Sequence, residues 1–169
     1  ARARQCTLTD EEVQAVVDAR QRNFLAILET EPLPAFPGVL ALMEAALDSE
    51  DCAVAIATSS TREKSQAVLR AAGVPYERMV YVCGDDVTKK KPDPEVFSLT
   101  CQRLDMAPER CVVLEDAPNG VQAAHAAGCR CIAVTNTHEA DALKQADQVV
   151  VSLADINLAT IRDLIKEAL

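Results

Sequence analysis

From Val39 onward, short apolar runs alternate with longer amphipathic stretches along the chain. Ala53–Ala57, Met79–Val82, Cys111–Leu114, Cys131–Val134 and Val149–Val151 are apolar in near-unbroken succession, which predicts strands buried on both faces. Val39–Leu47, Arg62–Ala72, Pro94–Leu104, Val121–Ala127 and Leu158–Leu169 predict helices, with Gly73, Pro75 and Gly128 as stops. Strands alternating with helices imply parallel βαβ units, hence an α/β fold with a Rossmann-like doubly wound sheet. The segment before Val39 is different. Thr9-Asp10-Glu11-Glu12 fits a capping box, and Val13, Val16, Val17, Phe24, Ile27 and Leu28 recur at helical spacing through Glu29. Pro32, Pro34 and Pro37 then break the chain into a linker between this helix and the alternating region.

With 169 residues, the chain is long enough for one domain with a substantial core. It holds two Tyr, three Phe and no Trp, so that core must come from Ala, Val, Leu and Ile. No apolar run approaches membrane-spanning length, and a net charge of −9 argues against a nucleic-acid partner. The basic run Lys89-Lys90-Lys91 is the exception, and its first two residues read as solvated loop. Seven cysteines lie scattered without CxxC spacing, several inside predicted strands, which excludes a disulfide framework or zinc site and predicts a reduced, intracellular protein, cytoplasmic or organellar. The opening Ala1-Arg2-Ala3-Arg4 fits either the scar of a removed targeting peptide or a truncation point.

Open parallel sheets bind ligands beyond the carboxyl ends of their strands, so the polar residues there carry the functional reading. Thr58-Ser59-Ser60 follows the first strand and leads into a helix: hydroxyls and free N–H groups that suit an anion, or ordinary helix caps. Lys91 stands in Lys91-Pro92-Asp93-Pro94, where two prolines limit the backbone and could pin a cation against a phosphate. Glu115 and Asp116 end the third strand, and two adjacent carboxylates there are hard to desolvate without a cation, for which Mg2+ is suited. Anion cradle, cation and metal ligands at successive strand ends point together to a phosphate site.

These residues resemble the haloacid dehalogenase superfamily, in its beta-phosphoglucomutase-like branch of sugar-phosphate phosphatases and phosphomutases. The matching stretches include Ile56–Ser60, Gly84–Val87, Lys91–Phe97 and Leu114–Ala124, and the likeness covers nearly the whole chain. The resemblance implies that Thr58 holds the phosphate with Ser59 and Asn119 assisting, that Lys91 links nucleophile and phosphate, and that Glu115 and Asp116 bind Mg2+, Asp116 being the better ligand. It also implies that residues 1–31 are the end of a helical cap and 32–169 the core, with Arg20 or Arg22 able to face a sugar phosphate. For those arginines, a solvated helix face is the competing reading.

One motif of the family is missing. No strand followed by Asp-x-Asp-Gly occurs: Asp48-Ser49-Glu50-Asp51 follows no strand, and Asp85-Asp86 belongs to the loop before Lys91. In the family the first of those aspartates takes up the phosphoryl group and the second is acid and base. The expectation is therefore that this chain is inactive alone and binds Mg2+ weakly or not at all. Two functional readings follow: part of an active phosphatase or phosphomutase acting on a small phosphorylated metabolite, or a catalytically dead subunit whose exposed sheet edge a protein partner covers. A flavodoxin-like or receiver-type module would share the sheet but would not explain the strand-end residues.

Overall fold

The computed structural model describes residues 8–166, so Ala1–Arg4, Cys6 and the predicted end of the last helix lie outside the described residues. Among the described residues, seven α-helices and five strands follow one another: α1 Asp10–Thr30, α2 Val39–Leu47, β1 Ala55–Ala57, α3 Arg62–Ala71, β2 Val80–Val82, α4 Glu95–Leu104, β3 Val112–Glu115, α5 Pro118–Ala126, β4 Arg130–Val134, α6 Ala140–Leu143, which the sequence reading does not contain, β5 Gln148–Val150 and α7 Leu158–Lys166. The capping box is present at α1, where the Thr9 hydroxyl accepts from Glu12 N and the Glu12 carboxylate accepts from Thr9 N.

All strand pairs are parallel, but they form two separate sheets, β1–β2 and β3–β4–β5. β4 shows why its sequence is uniformly apolar. Cys131 and Ala133 pack with Val96 and Phe97 of α4 and Val121 and Ala124 of α5. Ile132 and Val134 pack on the opposite face with Leu42 of α2 and with Ile161 and Leu164 of α7. Alternate residues thus enter different layers, and helices cover both faces.

Between β1 and β3 the sheet is interrupted. An apolar cavity of about 430 Å³ lies there, walled by Ala55–Ala57 and Val112–Leu114 and covered by residues of α2, α4 and α7. The facing edges of β1 and β3 pair with no strand among the described residues, and Leu114 is 40% exposed. The gap is bounded by parallel strands, apolar on both sides and edged by unpaired backbone groups. Those are the requirements for seating one more strand.

The loop after β2 is anchored by Asp86. Its carboxylate accepts from Cys83 N at 2.9 Å, from Arg62 Nη2 at 2.7 Å and from Arg103 Nη2 at 3.1 Å, tying the loop to α3 and α4. Hydrogen bonding from the Cys83 N–H, reinforced by the arginines, holds the acid at about 2, below the ordinary 3.8. A depressed carboxylate contributes stability above its unfolded value and loses it as the pH falls through the folded one. In urea titrations, the advantage of wild type over Asp86→Asn is therefore expected to be constant above pH ~4 and to vanish toward pH ~2. An advantage unchanged across that window would show that the charge of Asp86 is not what holds the loop.

Candidate active site

The chain leaving β1 is shaped by backbone contacts rather than by caps. Thr58 N donates to Val82 O at 3.0 Å, extending the pairing with β2, and Thr58 Oγ1 accepts from Ser60 N at 3.1 Å. That leaves the Thr58 hydroxyl proton free to donate. The loop after β2 passes beneath this turn, with Gly84 N donating to Ser60 O at 2.7 Å. A Cβ at Gly84 would stand 2.5 Å from Ser59 O, so the close approach requires glycine. Helix α3 starts two residues after Ser60, and its first N–H, on Arg62, donates to Asp85 Oδ2 at 2.8 Å. The cap comes from another loop. The side chains of Ser59 and Ser60 cap nothing among the described residues, so the capping alternative for this run does not account for them.

Lys91 and Glu115, twenty-four positions apart in sequence, meet as an ion pair between Lys91 Nζ and Glu115 Oε1, with the side chains 13% and 8% exposed. The ammonium also lies 4.5 Å from the centre of the Phe97 ring. The second carboxylate oxygen, Oε2, accepts from the N–H groups of Asp116 and Ala117 at 3.0 and 3.2 Å. Gly120, in the first turn of α5, makes the space: a Cβ there would lie 2.0 Å from Glu115 Cδ. The Lys91–Glu115 pair joins the loop after β2 to the end of β3, so it ties the two half-sheets together at their carboxyl ends.

Glu115, which the resemblance places with the metal ligands, has both oxygens engaged, by Lys91 on one and by backbone N–H groups on the other, so it also positions the lysine. Asp116 is differently placed. Its Oδ2 accepts from Thr137 Oγ1 at 2.9 Å, its carbonyl oxygen lies 3.0 Å from His138 Nδ1, and Oδ1 meets no donor among the described residues. No group of three or more His, Cys, Asp or Glu that could hold a metal ion occurs among the described residues. These residues therefore supply one free carboxylate towards Mg2+ and do not build a complete site. Asn119 is exposed in the first turn of α5. Arg20 is exposed on α1, beside a shallow apolar hollow formed with Val16, Ala19 and Phe24. Its helix rests on α3 through Gln21–Glu63, at 2.6 Å, and Lys64 over Phe24, at 5.0 Å. Neither contact brings Arg20 to Lys91.

Two site residues escaped sequence reading, Thr137 and His138. The polar run Thr135–His138 directly follows β4, the same strand-end position that drew attention to Thr58 and Glu115, and that rule would have found it.

Among known proteins, hexitol phosphatase A of Escherichia coli is 38% identical over 130 residues, covering 77% of this chain and 59% of that protein. Validoxylamine A 7'-phosphate phosphatase of Streptomyces hygroscopicus is 38% identical over 101 residues, covering 60% of this chain and 47% of that protein. The chain thus spans about half the length of these relatives. The crystal structure of CbbY from Rhodobacter sphaeroides in complex with phosphate superposes with a TM-score of 0.80 at 30% identity, covering 92% of this chain and 71% of that one. A family model, the haloacid dehalogenase-like hydrolase, matches residues 2–128. Together with the strand-end site at Thr58, Lys91 and Asp116, that match shows that the chain belongs to the haloacid dehalogenase-like hydrolases.

Proposed function

We propose that this chain is the phosphate-binding portion of a phosphatase or phosphomutase acting on a small phosphorylated metabolite, in the class of sugar phosphates. The observation that carries the reading is the buried Lys91 ammonium, fixed by Glu115 and Phe97 at the carboxyl end of an empty strand position. A strand seated between β1 and β3 would end beside that ammonium, and a carboxylate at its end would be the nucleophile this chain lacks. Lys91 would orient that carboxylate and neutralise the charge that grows on the transferring phosphoryl group. The Thr58 hydroxyl and Ser59 would donate to its oxygens. Mg2+, when bound, would neutralise phosphate charge as well, and Asp116 is the group of this chain free to ligate it. Asn119, in the first turn of α5, and Arg20, in a cap formed by the region of α1, are the substrate-contacting residues of this reading.

Two relatives with phosphatase names, hexitol phosphatase A and validoxylamine A 7'-phosphate phosphatase, support the substrate class. Residues 1–169 alone are expected to release no phosphate from hexose or hexitol phosphates with Mg2+, whereas the protein at its natural length turns over and Asp116→Asn abolishes that turnover. A folded natural-length protein without turnover would instead favour the second reading, a catalytically dead subunit. The unpaired edges of β1 and β3 speak for that reading, because a partner's strand could cover them.

A further inference from the structure

At the opposite end of the same strands lies a group of thiols with no part in phosphate chemistry. Val112 of β3 pairs in register with Arg130 of β4, so the preceding residues, Cys111 and Cys129, are neighbours, and Arg130 N donates to Cys111 O at 3.0 Å. By the alternation that sends Val113, Cys131 and Ala133 to the α4 face, both thiols point to that face. There they meet Cys101 of α4, whose Sγ lies 3.6 Å from Cys129 Sγ. Cys101 and Cys129 are buried, at 5% and 4% exposure. Cys111 is half-buried, beside Cys52, Ala53 and Met106 at the amino end of the strand gap. Cys111 is therefore the least buried of three adjoining thiols, with two thiols behind it that can resolve it, an arrangement that isolated structural cysteines lack.

We propose that Cys101, Cys111 and Cys129 form an oxidisable thiol site that a hydroperoxide converts to a disulfide, with Cys111 attacked first. Its thiolate displaces water from hydrogen peroxide and becomes a sulfenic acid. The Cys129 sulfur then attacks that sulfur, expelling a second water and forming the Cys111–Cys129 bond. Two thiols and one peroxide thus give one disulfide and two waters. The buried thiol of Cys101, in contact with Cys129, can exchange into the bond. The acidities agree with Cys111 as the thiol attacked first: hydrogen bonding from Cys129, and then from Cys101, holds it at about 6, while the hydrogen bond with Cys111, together with burial, pushes Cys129 up and burial pushes Cys101 up to about 11.

The test treats the natural-length protein with hydrogen peroxide, blocks remaining thiols and maps cross-linked peptides by mass spectrometry. One disulfide within the trio is expected, reversed by dithiothreitol. Cys111→Ser should slow its formation at least about tenfold, while circular dichroism shows the fold intact. Cys129→Ala combined with Cys101→Ala should leave Cys111 as a sulfenic acid, trapped by dimedone. Disulfides to Cys6, Cys52, Cys83 or Cys131 instead, or over-oxidation of Cys111 in wild type without a cross-link, would overturn the proposal. So would an unchanged rate in Cys111→Ser.

Discussion

Gly120→Ala is expected to destabilise the protein by about 2–4 kcal/mol, although alanine is ordinarily the better helix residue. Gly120 lies inside α5 with no positive φ, so the substitution gains about 0.5–1 kcal/mol of backbone preference. Crowding outweighs that gain. The new Cβ would stand 2.0–2.3 Å from the carboxyl carbon and oxygens of Glu115, inside any tolerable contact. A free glutamate would swing away, but this one is held by Lys91 on one oxygen and two backbone N–H groups on the other. To yield, it must leave Lys91 half-buried without its partner, and breaking a buried pair costs about 3–5 kcal/mol. The discriminating measurement is denaturant unfolding of Gly120→Ala, Glu115→Ala and the double variant. The double variant should be no less stable than Glu115→Ala alone, because the clash disappears with the carboxylate. Additive losses would mean that Gly120 acts through something other than Glu115.

Local signals made much of this architecture legible. Uniform apolar runs gave the five strands within two residues, because a parallel sheet covered on both faces admits no polar alternation, as β4 shows. Helix α5 was placed too late, at Val121, since Pro118-Asn119-Gly120 looks like a turn. Proline is at home in a helix's first position and Gly120 is there for Glu115, so the helix starts at Pro118. The four-residue α6 is too short to show a period. What sequence could not supply was partnership. Lys91 and Glu115 are each unremarkable in their own loops, and only the meeting of two half-sheets makes them a pair. The adjacency of Glu115 to Asp116 is visible in the sequence, whereas the contact of Glu115 with Lys91 is not. The absence of an Asp-x-Asp motif is visible in the sequence, and the gap between β1 and β3, where the proposed function seats its strand, is not.

On the proposed function, Lys91→Met is expected to lower turnover of the protein that carries the nucleophile strand at least about a hundredfold and to cost about 3 kcal/mol of stability. Both effects come from one charge. The methionine retains an unbranched stem that can stay against Phe97, so packing changes little, and what is lost is the ammonium. Glu115, with its side chain 8% exposed, then keeps a charge supported only by the N–H groups of Asp116 and Ala117. Replacing Glu115 by Gln in the Lys91→Met background removes that unpaired charge while the amide oxygen can still accept from the backbone. Stability should recover, and turnover should not, because the phosphoryl group still lacks its cation. Lys91→Arg should fold and yet rescue turnover poorly, since a broad planar guanidinium cannot occupy a pocket shaped for a compact ammonium between Glu115 and Phe97. The two readouts therefore separate the structural role of the pair from its catalytic one. If Lys91→Met/Glu115→Gln restores turnover along with stability, Lys91 does no more than hold the two half-sheets together, and the cation at the strand ends must be sought elsewhere.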